Sequence, residues 1–144
     1  MPSHERRRLQ PWVRKALNQD GFVCWKLEDK NRPGLPDTIV RSPDGRITWV
    51  ELKWSQNKTG VAVHLAPTQW QHLKEWEGSE QWAHPLCYVL VAAPAFDKIY
   101  LVPYQALRSA RQTFSTVDLE RLPAVQWCGC SKAELGPFLR AALR

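Results

Sequence analysis

Apolar residues at Leu9, Trp12, Val13, Ala16 and Leu17 recur at helical spacing, so the first segment reads as a helix with one buried face. Ser3 is a candidate N-cap, and Asp20-Gly21 is a stop signal. From Phe22 to Leu27 the chain turns to valine and aromatic residues, which predicts a strand. Asp29 to Pro36 is a polar loop. Two further strands are predicted at Thr38–Arg41 and Arg46–Lys53, separated by Ser42-Pro43-Asp44-Gly45. Proline presets φ there and glycine accepts a positive φ, so the two strands form a tight hairpin. Ser55 to Gly60 is polar and is expected to be mobile. Pro67 opens a second helix, where its missing N–H is harmless, and that helix is expected to run to about Glu77.

Leu86 to Ala92 is an unbroken apolar run that suits a buried central strand. Lys98 to Val102 alternates and reads as its neighbour. Ser131 and Glu134 have capping-box spacing for a last helix, which Pro137 is expected to interrupt. The predicted order is α-β-β-β-α-β-β plus C-terminal helices. That is one α/β domain with a mixed sheet flanked by helices, a core over 1–103 and a helical extension over 104–144.

Composition narrows the picture. Hydrophobic residues make up 44% of 144, enough for a core. No apolar stretch approaches the ~18 residues of a membrane span. The polar, basic N-terminus has no apolar region behind it, so a cytoplasmic protein is expected. Residues 1–60 hold 12 Lys and Arg against 7 Asp and Glu, whereas residues 61–144 hold 8 against 7. A basic first half favours a polyanionic partner, solubility being the plainer explanation. Eight tryptophans serve either the core or base stacking. Cys24, Cys87, Cys128 and Cys130 are expected to be reduced thiols, and the one-residue gap between the last two is not zinc spacing.

The chemistry concentrates in Pro36-Asp37 and Glu51-Leu52-Lys53. Residues two apart in a strand face the same way, so Glu51 and Lys53 share one face and Leu52 takes the other. If the hairpin loop is Pro43, Asp44 and Gly45, Ser42 pairs with Arg46, and continuing the register sets Asp37 opposite Glu51. Opposed residues have Cβ atoms ~4.5–5.5 Å apart. Two carboxylates that close repel unless a cation lies between them, and hard oxygen ligands suit Mg²⁺ or Mn²⁺. Lys53 could then hold the attacking water or stabilise charge on a phosphate. The alternative is a cross-strand salt bridge with no chemistry.

These motifs resemble the PD-(D/E)xK nuclease superfamily, and within it the VRR-NUC domains and small Holliday-junction resolvases. Gly34-Leu35-Pro36-Asp37 is similar to the start of their motif, Glu5 to the glutamate on their first helix, and Pro67-Thr68-Gln69 to the opening of their second. The resemblance covers about residues 3–103. It departs at the long segment Trp54 to Ala66, and Tyr104 onward matches nothing in the family. It implies a Mg²⁺- or Mn²⁺-dependent endonuclease of prokaryotic or phage origin that cuts branched DNA as a homodimer. It also implies catalytic roles for Asp37, Glu51, Lys53, Gln69 and Glu5. Asp37, Glu51, the Leu52 backbone carbonyl and Glu5 are its metal ligands. Arg6, Arg7, Lys15, Lys58 and Lys74 are candidates for DNA contact. His64 and His72 are weaker candidates for any role. A restriction-like, flap- or end-acting nuclease and a non-catalytic DNA-binding module with this fold are the alternatives.

Overall fold

The structure, a computed structural model, describes residues 5–27, 35–78 and 85–144, without the side chains of Glu5 and Arg6. Ser3, most of the polar loop and Trp82 lie outside those residues. A π-helical turn over Glu5–Leu9 runs into α1, Gln10–Ala16. Pro11 accounts for the widened turn: it lacks the N–H that would bond the Arg7 carbonyl, and its ring needs room there. Leu9, Val13, Ala16 and Leu17 are buried, as their spacing predicts. Then follow β1 (Val23–Lys26), β2 (Thr38–Arg41), β3 (Ile47–Trp54), β4 (Val61–His64), α2 (Pro67–Glu77), β5 (Cys87–Ala93) and β6 (Lys98–Pro103). The tail holds β7 (Arg111–Phe114), α3 (Thr116–Arg121), β8 (Gln126–Gly129) and α4 (Lys132–Ala142).

The main sheet has the order β1-β2-β3-β5-β6-β8. Only β3 and β5 run parallel, and the other pairs are antiparallel. Side chains alternate across β5. Tyr88, Leu90 and Ala92 join one core with α1 and α4, while Val89 and Val91 join a second core with α2, α3 and the small β4–β7 sheet. Burial on both faces explains why that strand is apolar throughout. The hairpin closes as the turn predicts. Ser42 N–H donates to the Arg46 carbonyl at 2.9 Å, Gly45 sits at φ 87°, and Thr38 pairs with Val50.

At the start of the polar Ser55–Gly60 segment, Ser55 is buried, its N–H donates to the Ala92 carbonyl at 2.8 Å, and its Oγ accepts from Ala62 N–H at 3.0 Å. Two local expectations change. The tail is more than helical, because β8 extends the main sheet and β7 pairs with β4. Both β4 and β7 are four residues long and find each other only through tertiary pairing, so no local period announces them. Pro137 lies inside α4 without ending it. The preceding Gly136 has no Cβ to clash with the proline ring, which removes much of the usual objection.

Trp54 packs on the core beneath α1 and α4, and Trp70 packs against Tyr104 with ring centroids 4.9 Å apart. Trp76 stays half exposed and stacks on Trp49 at 4.7 Å. Among the described residues no helix is long and apolar enough to cross a membrane.

Candidate active site

The strand β3 presents Val50 and Leu52 to the core beneath α1 and α4, so Glu51 and Lys53 point the other way, towards the first turn of α2. Asp37 precedes β2 by one residue. In the continued register it stands opposite Glu51 at a position without ladder hydrogen bonds, where cross-strand side chains come closest. Its Oδ2 accepts from Leu52 N–H at 2.8 Å. Behind it the buried Thr38 donates from Oγ1 to the Val50 carbonyl at 3.0 Å, which pins the end of the hairpin.

Pro36 explains a further property of this corner. It would stand opposite Leu52, and an ordinary residue there would donate its N–H to the Leu52 carbonyl. Proline has no N–H, so the ladder supplies no donor to that oxygen. Asp37 meanwhile takes the Leu52 N–H. Counting the register one step past Asp37 would have disclosed this from the sequence.

Gln69, the third residue of α2, ties the group together. Its Oε1 accepts from Ala66 N–H at 2.9 Å, half of a capping box, and also from Lys53 Nζ at 3.0 Å. With the amide oxygen so committed, Nε2 faces Glu51 and donates to Oε1 at 2.8 Å. Lys53 Nζ lies 3.9 Å from the same Glu51 oxygen. That exceeds the ~2.7–2.9 Å of a charge-assisted hydrogen bond, so the pair is not a closed salt bridge.

Glu51 is 2% exposed, and its Oε2 has no hydrogen-bond partner among the described residues. Burial, then the neighbouring Asp37 charge, holds its carboxyl well above the usual carboxylate range, and Lys53 opposes this only in part. A buried carboxylate oxygen without a donor, beside a second carboxylate and near a carbonyl the ladder leaves open, is a donor set that fits one hard divalent cation. Among the described residues no three His, Cys, Asp or Glu side chains converge. The third carboxylate suggested by the sequence, Glu5, lies in the π-helical turn that packs on β3, but its side chain is outside the description.

The remaining candidates are more scattered. Arg7, Lys15, Lys58 and Lys74 are exposed, and the Arg6 side chain is not described. His64 is exposed on β4 with Thr113 Oγ1 at 3.5 Å, and His72 packs against the Trp49 and Trp76 rings. The four cysteines are free thiols. Burial pushes Cys24 and Cys128 up to about 11 and Cys87 up to about 12, which makes them poor nucleophiles.

No family model matches the chain, and no curated protein matches it. Among solved structures it is similar to Hjc, a Holliday junction resolvase of the archaeal hyperthermophile Archaeoglobus fulgidus. The TM-score is 0.53 and the identity 17%, over 78% of this chain and 82% of that one. At that identity the likeness is one of fold: the two share a mixed sheet flanked by helices.

Proposed function

We propose that the protein is a divalent-cation-dependent endonuclease of branched DNA, in which Asp37, Glu51 and Lys53 act on the scissile phosphate. The observation that carries this reading is the buried, unpartnered Oε2 of Glu51 beside Asp37. A cation bound between the two carboxylates would give that oxygen a partner. Asp37, Glu51 and the Leu52 carbonyl would hold Mg²⁺ or Mn²⁺, which supplies Lewis acidity towards the phosphate when bound. Lys53 brings its ammonium to the same face, where it stabilises the extra charge of the phosphorane-like transition state or positions the attacking water. Gln69 fixes the Glu51 carboxylate and steers Lys53 without touching substrate. The first turn of α2 adds a partial positive charge that favours a phosphate nearby.

The fold likeness to a Holliday junction resolvase supports four-way junctions as substrate and two symmetric active sites, hence a homodimer. The motifs Gly34-Leu35-Pro36-Asp37 and Pro67-Thr68-Gln69 carry the VRR-NUC resemblance on their own.

Labelled four-way junction, flap and linear duplex, incubated side by side with Mg²⁺, test the reading. Cleavage of the junction is expected, with none in EDTA. Asp37→Ala and Glu51→Ala should abolish cutting and keep DNA binding within about threefold, since binding comes mostly from Lys and Arg. Undiminished cutting in EDTA or by either variant would sink the proposal.

A further inference from the structure

The small β4–β7 sheet is held beside the candidate site at both ends of β4. Ser55, two residues past Lys53, accepts the Ala62 N–H on its Oγ at 3.0 Å. Ala66, two residues past His64, donates its N–H to the same Gln69 oxygen that takes Lys53 Nζ. Val61 and Val63 pack inward with Val89 and Val91, whose register partners are Glu51 and Lys53. The small sheet therefore covers the face of the main sheet on which the site lies. Its own register pairs Ala62 with Thr113 and His64 with Arg111, so these four share the outer face. His64, Arg111 and Thr113 are exposed, and His64 Nε2 lies 3.5 Å from Thr113 Oγ1.

Charge on this sheet has one sign. Residues 52–74 and 98–117, which build both strands and the turns beside them, contain no Asp or Glu. Lys58 precedes β4, Arg108 precedes β7 and Arg111 opens it, and all three are exposed. Among the described residues none of the three forms an ion pair. The turn that carries the arginines is braced through its backbone. Gln112 Oε1 accepts the Arg108 and Ser109 N–H groups at 2.7 and 3.2 Å, and Ser109 Oγ donates to the Arg111 carbonyl at 3.1 Å. Two guanidinium groups are thus presented to solvent on a fixed support.

We propose that the outer face of this sheet binds the sugar–phosphate backbone of the DNA next to the cut, with Lys58, Arg108 and Arg111 on phosphates and His64 and Thr113 as hydrogen-bond donors. Three cations with no carboxylate among them complement a row of phosphates. The outer face has no Trp, Tyr or Phe on which a base could stack, so it holds backbone and reads no sequence. It is built from the segment Trp54 to Ala66 and the tail, the two parts in which the sequence departs from the nucleases it resembles. This contact rests on the nuclease reading of Asp37, Glu51 and Lys53 and gives that site its grip on the strand being cut.

A labelled blunt duplex is titrated in EDTA at four salt concentrations, so that binding is measured apart from cutting. Arg108→Ala/Arg111→Ala should lose about ten- to a hundredfold in affinity at 0.1 M salt, and its log–log salt slope should flatten by about 2, the share of two phosphates. Lys58→Ala alone should flatten the slope by about 1. Arg108→Lys/Arg111→Lys keeps both charges and should bind within about threefold of the wild type. Lys132→Ala/Arg144→Ala removes two exposed cations from the ends of α4, on the other face of the main sheet, and should also bind within about threefold. Equal losses by the Arg108/Arg111 alanine pair and the α4 pair would overturn the proposal, because net charge would then account for both. So would salt slopes unchanged in both the alanine pair and Lys58→Ala. The expected losses in a protein that cuts no DNA would leave this surface standing and remove only the nuclease reading.

Discussion

Glu51 keeps its carboxyl where water cannot reach it, and that has a measurable thermodynamic consequence. Its carboxyl titrates above the ordinary value in the folded state, so its contribution to stability is fully present below ~4.3, the unfolded value, and is lost as pH rises through the folded value. The metal-free protein should therefore lose stability through this group as pH rises above ~4.3. Glu51→Gln should remove that loss and melt higher at pH 7, by about 1–2 kcal/mol or roughly 3–8 °C. Mg²⁺ should raise the wild-type Tm and leave the variant unmoved. A variant that melts below the metal-free wild type would show that the ionised carboxylate is not a strained group. Lys53→Met keeps the apolar stem and removes the ammonium. It should fold and bind DNA yet cut at least about a hundredfold more slowly, and single-turnover rates on a junction measure this. At this scale the sequence was informative because a strand's period is two: Glu51 and Lys53 had to share a face, and the loop length set Asp37 opposite. The resemblance of Pro67-Thr68-Gln69 singled out Gln69 but not its bridge, since its two site partners come from a different element.

Among the elements, legibility followed length and locality. The helix at Pro67–Glu77 and the strands Thr38–Arg41 and Lys98–Pro103 have either a strong start signal or a clear alternation. The β4–β7 pair lacked both, and its most constrained residue is a glycine. A Cβ on Gly60 would lie 2.8 Å from the Phe114 carbonyl oxygen and 2.9 Å from Thr113 Cγ2, nearer than atoms approach without displacement. Gly60→Ala should cost about 1–3 kcal/mol by pushing the small sheet apart, read as a shift in the urea midpoint. A midpoint unchanged within error would mean that this end of the small sheet gives way freely. Polarity says that a segment needs partners, and at the start of Ser55–Gly60 Ser55 finds them in Ala92 and Ala62.

For the whole molecule, charge and symmetry decide what it meets. Net charge is +6, and Arg7, Arg8, Arg14, Lys15, Lys58 and Lys74 are all exposed. A surface that neutralises six or more phosphates should lose about 10³-fold in affinity between 50 and 200 mM salt, so binding isotherms at four salt concentrations suffice. A shallow salt slope would point to a partner other than DNA. Sedimentation of the free protein and competition between junction and linear duplex test the two-fold assembly. A strict monomer without junction preference would leave phosphodiester cleavage in place and remove the resolvase reading. Basic composition pointed the sequence reading towards a polyanion, whereas nothing in the chain order disclosed that the tail adds an edge strand to the main sheet.

Gln69 joins two tasks in one amide: it completes the N-terminal cap of α2 and it orients Glu51 and Lys53. Helix ends fray at lower temperature than cores melt. Loosening of the first turn of α2 therefore releases both side chains at once while the sheet is still intact. If the proposed site cuts DNA, heating should abolish cutting several degrees before circular dichroism reports loss of structure, and cooling should restore it fully. One helix cap, and not the melting point of the fold, would then set the upper temperature of cutting.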